Sequence, residues 1–222
     1  MTMTVPWKTA LLGVALFCIY PAVPERAAAA DESAANIINR VQKTVKNLKT
    51  LSCSFDQEFY MKTVDRTTAI AGTIRVKKPN MLRVEYPAQT IVVDGKTVWW
   101  YIPKNQQVTL QKFEEGEEMF PTPYGIFRKY VAGDESNETS VFEGASKLDG
   151  RACYILRLGK GDDSSITVWI DRELDLPVKS VEERANGDRT TYVLRDVKLN
   201  GKLDSGIFTF AVPEGVTVVD MR

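Results

Sequence analysis

Residues 72–101, GTIRVKKPNMLRVEYPAQTIVVDGKTVWWY, narrow the fold more than any other stretch of this chain. They read as three or four short antiparallel strands. Asp94-Gly95 marks a two-residue hairpin of type I′, in which both central residues take positive φ. Alternation in such strands leaves one face apolar and the other wet. Here it partly fails. Both the even and the odd positions of Val98-Trp99-Trp100-Tyr101-Ile102 are apolar, and Ile91, Val92 and Val93 also supply both faces. A sheet with two apolar faces needs a cover on each. One cover is its own core. The other is expected to be a lid, and a lid over an apolar sheet bounds a pocket.

The chain has 222 residues, but its start reads as a targeting segment. Lys8 precedes an apolar run over 9–23 that is too short for a comfortable membrane span. Ala28-Ala29-Ala30 then supplies the small residues a signal peptidase reads. Residues 1–30 are therefore expected to be a secretory signal peptide, cleaved before Asp31. An uncleaved anchor fits less well, because Pro21 and Pro24 break the run and Glu25 follows. Cys18 follows Phe17, where a lipid-attachment signal carries a small residue. What remains, 31–222, is long enough for one domain with a real core.

Lysines and arginines number 29, as do aspartates and glutamates, and no segment is strongly basic. Phosphate binding needs a positive patch, so nucleic acid is not an expected partner. The absence of histidine removes Ser-His and Cys-His catalysis and the commonest metal ligand. There is no GxSxG elbow, phosphate loop or zinc spacing. Glu114-Glu115-Gly116-Glu117-Glu118 reads as a solvated loop, without the ordered spacing calcium needs. Carboxylates are plentiful, but none sits in a recognisable glycosidase frame. No catalytic residue, metal or cofactor is expected, and the apolar excess points to binding rather than to an enzyme.

Two cysteines, Cys53 and Cys153, remain after cleavage. Export to an oxidising compartment favours a disulfide between them; the alternative is two separately buried thiols. A bond would close a loop of about 100 residues and stabilise by about 4 kcal/mol.

Residues 33–48 form an amphipathic helix, with Ile37, Val41, Val45 and Leu48 in one stripe that Ile38 widens. The plainer reading is that it plugs one end of a sheet; the sharper one is that its stripe lines a cavity. Strands follow over 51–61, 70–76, 81–86, 90–102 and 107–113. Residues 122–133 read as a short aromatic helix, capped by Thr122, begun by Pro123 and ended by Gly133. Its natural resting place is the second face of the 91–102 sheet. Strands return over 140–143, 152–158, 165–170, 176–184 and 189–199, with Asn186-Gly187 marking a hairpin. The tail from Phe208 to Val218 turns into a last short strand. Turn density and spacing suggest a sandwich or incomplete barrel, not βαβ units.

These segments, in order, resemble the outer-membrane lipoprotein carrier proteins, the LolA family. The resemblance rests on Ser54-Phe55-Asp56-Gln57, on Gly72 with Val76-Lys77-Lys78-Pro79-Asn80, and on Asp94-Gly95-Lys96-Thr97-Val98-Trp99-Trp100-Tyr101. It continues through Thr122-Pro123 to Phe208-Thr209-Phe210 and Pro213-Glu214-Gly215-Val216-Thr217-Val218. It implies a mainly β fold with α: a single-domain, half-open antiparallel β-barrel covered by a helical lid. It also implies a periplasmic chaperone that binds the acyl chains of lipoproteins. Such proteins take cargo from the inner-membrane complex LolCDE and deliver it to the outer-membrane acceptor LolB. A monomer is expected.

By position, the resemblance gives an acyl-pocket role to Leu82, Val84 and Ile91 on the sheet and to Tyr124 and Phe127 on the lid helix. Trp100 joins them by alternation. The family's basic turn ends in an arginine that hydrogen-bonds the lid. Here Lys78 takes that position without the planar fork, so the latch is expected to be weaker or supplied elsewhere. Leu82 and Val84 also replace aromatics typical of that strand. Two other readings stand beside the carrier. One is a periplasmic lipid-binding or lipoprotein-sensing module on the same fold; the other is a structural β-domain with no cavity.

Overall fold

The computed structural model describes residues 32–114, 140–158 and 164–222. The described chain begins with α1 (Ala34–Asn47). Ser33 caps it, its hydroxyl accepting from the Asn36 N–H at 3.2 Å. Ile37, Ile38 and Val41 are buried along one stripe, each worth roughly 1.5–3 kcal/mol. The helix stops where Leu48 turns extended and returns its N–H to the Val45 carbonyl.

Twelve strands follow: β1 (Thr50–Met61), β2 (Arg66–Lys77), β3 (Met81–Glu85), β4 (Thr90–Asp94), β5 (Thr97–Ile102), β6 (Gln107–Lys112), β7 (Val141–Leu148), β8 (Arg151–Leu158), β9 (Ser164–Asp171), β10 (Leu176–Arg184), β11 (Arg189–Leu199) and β12 (Thr217–Asp220). They form one sheet in the order β12-β6-β5-β4-β3-β2-β1-β11-β10-β9-β8-β7. Every neighbouring pair is antiparallel except β12, which runs parallel to β6. The edge strands β12 and β7 do not pair with each other, so the barrel is half-open, as the resemblance implied.

The two halves of the sheet meet at β1 and β11. On the inner face of one half, α1 packs Ile37, Ile38 and Val41 against Tyr154, Leu156, Leu158, Ile166, Val168, Ile170 and Tyr192. This is the plug reading of the helix. On the other half, the inner face carries Cys53, Phe55, Ile74, Val84 and Leu194, continued by Ile91, Val93 and Val98.

The second apolar face of β3–β5 has a cover the sequence reading did not assign to it. After β11 the chain crosses the outer face as a tail, with a short 3-10 turn at Ser205–Phe208. Phe208 is 1% exposed, and Phe210 stacks on Trp99 with ring centroids 5.7 Å apart. Arg83 donates to the Ile207 carbonyl at 3.0 Å and holds Glu85 through two bonds of 3.0 and 2.9 Å. The tail thus covers the face of Arg83, Trp99 and Tyr101. The aromatic helix expected over 122–133, with Tyr124 and Phe127, lies outside the described residues, as does the signal segment 1–30.

The Asp94-Gly95 turn also differs from expectation. Gly95 has φ +99, but Asp94 is not in the left-handed region. Instead the Asp94 carboxylate accepts from the Lys96 and Thr97 N–H groups at 2.9 and 2.8 Å and from the Trp99 indole at 3.1 Å. A side chain committed to three donors fixes a longer loop. The hairpin with two positive-φ residues occurs at another Asp-Gly pair, Asp149 (φ 50) and Gly150 (φ 80), between β7 and β8.

Candidate functional site

Strand register builds the candidate site. Val84 lies opposite Ile74 on β2 and Ile91 on β4. Ile91 lies opposite Trp100, and Ile74 opposite Cys53. One lateral row therefore reads Cys53, Ile74, Val84, Ile91, Trp100 across five strands. Two residues along, a second row reads Leu51, Val76, Leu82, Val93, Val98. Both rows face the side on which α1 packs.

Of the sequence-assigned residues, Val84 and Ile91 are buried, at 1% and 2% exposure, while Trp100 keeps 40%. Its indole N–H donates to the Gln89 side chain at 3.0 Å. Leu82 is half-buried and bridges the two apolar clusters. Sequence reasoning missed Val93, Val98 and Tyr86 as members of this face. Val98 stands two residues before Trp100, so alternation carried to the end of the strand would have found it. Tyr86, set edge-on to Phe55 at 5.3 Å, stands two residues after Val84, so the alternation of the strand expected over 81–86 carried the same signal although β3 itself ends at Glu85.

Lys78 reaches the end of α1. Its ammonium donates to the Val45 carbonyl at 2.7 Å and the Lys46 carbonyl at 3.3 Å. These belong to the last turn, whose carbonyls lack the regular i+4 partner, Val45 accepting instead from the capping Leu48 N–H, and carry the negative end of the helix dipole. A compact cation with freely directed donors suits two diverging carbonyls. The other end of α1 is fastened by Arg40, which bonds Asp175 at 3.1 Å, pairs bidentately with Glu32 and lies 5.3 Å from the centre of the Tyr154 ring. The Arg40 hydrogen bonds hold the Glu32 carboxyl below its ordinary value, against burial.

The cysteine expectation is corrected. Cys53 and Cys153 are both free and buried. Cys53 is on β1 and Cys153 on β8, with β11, β10 and β9 between them. Four strand steps put them roughly 19 Å apart along the sheet, far beyond the ~7 Å that a disulfide tolerates between Cα atoms. Burial pushes the Cys53 thiol up to about 12.

Two polar clefts lie away from the apolar rows. One, of about 490 Å³, is lined by Asp149, Arg151, Asp171, Glu173, Arg195 and neighbours. The other, of about 450 Å³, is lined by Asp56, Glu58, Ala69, Ala71, Lys179, Arg195 and neighbours. Several of their ionic groups pair with one another: Arg195 binds Asp56 at 2.7 Å and also Asp149, and Arg151 binds Asp171 at 3.4 Å. The apolar rows carry no charged side chain, so their chemistry is that of hydrocarbon contact rather than of polar recognition.

Comparison with known proteins shows the family and the fold. A family model described as outer membrane lipoprotein carrier protein LolA matches residues 46–211. An outer-membrane lipoprotein carrier protein of Pseudomonas paraeruginosa is 29% identical over 211 residues, covering 92% of this chain and 96% of its own. Another, of Histophilus somni, is 27% identical over 199 residues, covering 85% and 89%. Among solved structures, an uncharacterized conserved protein from Thermus thermophilus superposes with a TM-score of 0.56 at 14% identity, over 84% of this chain and 98% of that one. That last likeness concerns the fold alone.

Proposed function

The chain belongs to the LolA family of outer membrane lipoprotein carrier proteins, and from that premise we propose how it carries its cargo. It is a lipoprotein chaperone of the periplasm, exported by the signal peptide 1–30, and its apolar inner face receives acyl chains. The observation that carries this reading is the pair of five-residue apolar rows through Val84 and Leu82. Each acyl methylene removed from water is worth roughly 0.8 kcal/mol. A free lipid anchor would therefore aggregate or re-enter a membrane. A face of aliphatic side chains with no charge in its rows takes that surface without demanding a polar partner.

Release matters as much as capture. Leu82, Val84, Ile91 and Trp100 form the sheet side of the pocket, and Tyr124 and Phe127 are proposed to close it from the lid. In the empty carrier the lid's own aromatics fill the apolar rows; cargo replaces them. Closed packing is regained on delivery, so transfer to a better acceptor needs no further energy input. The donor complex is LolCDE and the acceptor is LolB. Lys78 serves as a latch by holding the end of α1.

The test is a release assay. Inner membranes loaded with a labelled acylated lipoprotein are incubated with ATP and the purified protein, and soluble one-to-one complex is counted. A non-acylated cargo is the control. Acyl-dependent release is expected. Leu82→Glu, which places a charge in the second row, should cut complex formation at least tenfold while leaving the β-sheet circular dichroism intact. Normal transfer by that folded variant would remove the pocket assignment.

A further inference from the structure

Two buried hydroxyls have no hydrogen-bond partner among the described residues, Ser146 near the β7 edge and Ser180 in the core. Ser180 is 0% exposed, and its Oγ makes no hydrogen bond among the described residues. Buried polar groups are nearly always paired, and leaving one unpaired is costly. Register gives its surroundings. Ser180 lies opposite Val168 on β9 and Tyr192 on β11, Val168 lies opposite Leu156, and Leu156 opposite Phe142. A third lateral row therefore runs Phe142, Leu156, Val168, Ser180, Tyr192 on the inner face and continues to Gln57 on β1. It is apolar over its first three members and polar over Ser180, Tyr192 and Gln57, and α1 covers the part from Leu156 to Tyr192.

Tyr192 stands where the α1-covered cluster meets the acyl-pocket cluster. Burial first, then the neighbouring Tyr86 and Glu182, holds its phenol above the ordinary value, so the group stays protonated and able to donate. Tyr86 in turn packs on Phe55 in the other cluster. The seam between the two apolar surfaces thus offers hydroxyls in a hydrocarbon setting. The Glu182 carboxylate, also near Tyr192, would repel a phosphate.

We propose that Ser180 and Tyr192 form a subsite for the ester carbonyl groups that join acyl chains to a lipid-modified cysteine. The inference rests on the carrier reading above and adds where the polar junction of the lipid goes. An ester is neutral and accepts but does not donate, which complements the two hydroxyl donors, with the Gln57 amide opposite Tyr192 as a further donor. A phosphate headgroup would meet the Glu182 carboxylate. Because α1 covers the row, the lipid reaches it when the helix moves aside, and the hydroxyl unpaired in the empty protein gains its partner in the loaded one.

The test compares two synthetic lipopeptides with identical chain lengths. One carries a diacylglyceryl cysteine with ester-linked palmitoyl chains; the other carries the corresponding ether-linked alkyl chains, which lack the carbonyl oxygens. Affinity is measured by competition against an environment-sensitive fluorescent fatty acid. The wild-type protein is expected to bind the ester form about five- to tenfold more tightly, as one or two hydrogen bonds predict. Ser180→Ala and Tyr192→Phe should each reduce that ratio, with ether-lipid affinity unchanged. Equal affinities in the wild type would overturn the subsite, as would a ratio that survives both substitutions; either result leaves acyl carriage standing. Binding of neither lipid would overturn the carrier reading itself.

Discussion

Gly72 is the residue with the least freedom to change. A Cβ there would sit 2.3 Å from the Glu85 carbonyl oxygen and 2.7 Å from the Phe55 ring. Neither neighbour can retreat easily: the first is backbone in the β2–β3 ladder, and the second is wedged against Tyr86. Gly72→Ala is expected to cost about 1–3 kcal/mol through overpacking, read as a lower midpoint in urea unfolding. The cysteines make a second prediction at this scale. With its thiol pushed up to about 12 by burial, Cys53 is almost wholly protonated at pH 8, and the thiolate is the reactive form. Neither Cys53 nor Cys153 should react with a thiol reagent in the native protein, and both should react once it is unfolded. A single mass with two protons fewer would instead show a disulfide. The sequence identified both residues as the pair to watch. It could not show their separation, because a hundred residues of chain place no limit on how many strands lie between two positions.

At the scale of the element, α1 is a helix fastened at both ends. Glu32 has its carboxyl held below the ordinary 4.5 by Arg40. A depressed carboxylate stabilises the folded state above its unfolded value, and that contribution disappears as pH falls through the lower folded value. Protection of α1 amides against hydrogen exchange should therefore fall as pH drops below about 4.5, the ordinary value, after correction for the intrinsic rate. Arg40→Gln should flatten this dependence. Lys78→Met should lower protection in the last turn of α1, since it removes the bonds to the Val45 and Lys46 carbonyls. If Lys78→Met left those amides unchanged, the cation would not be fastening the helix. The helix itself was legible in the 3.6-residue spacing of Ile37, Val41 and Val45. Its clasp was not, because Lys78 lies 33 residues away from Val45 and meets it only when β2 ends beside β1. The hairpins carry the same lesson. Asp94-Gly95 and Asp149-Gly150 are the same dipeptide, yet only the second takes positive φ at both residues. At the first, the aspartate side chain is drawn into bonds with Lys96, Thr97 and Trp99, and a tryptophan five residues on decides the turn.

At the scale of the molecule, the tail is the part that holds the half-open sheet from outside. It leaves β11, crosses β3–β5 through Phe208 and Phe210, and rejoins the sheet as β12 beside β6. Phe208→Ala should cost about 3–5 kcal/mol, the usual price of emptying a buried phenylalanine site. It should also weaken protection in β3 and β4 more than in β8 and β9. Equal loss everywhere would mean that the sheet unfolds as a single unit and that the tail is no local brace. Keeping the outer face occupied by its own chain leaves the inner rows of β1–β5 as the face assigned to cargo.

What the sequence determined by itself is whatever local periodicity and composition encode. The helix stripe, the strands and their turns, and the double apolarity of 91–102 all follow from the order of side chains along a few residues. The absence of histidine likewise closed off whole classes of chemistry before any fold was known. The tertiary structure decided which surface covers which. The second apolar face went to a tail more than a hundred residues away in the chain, the two cysteines went to different parts of the sheet, and Ser180 came to lie unpaired beneath α1. The physical reason is that burial is non-directional: an apolar face specifies that it must be covered, and only the path of the whole chain specifies by what.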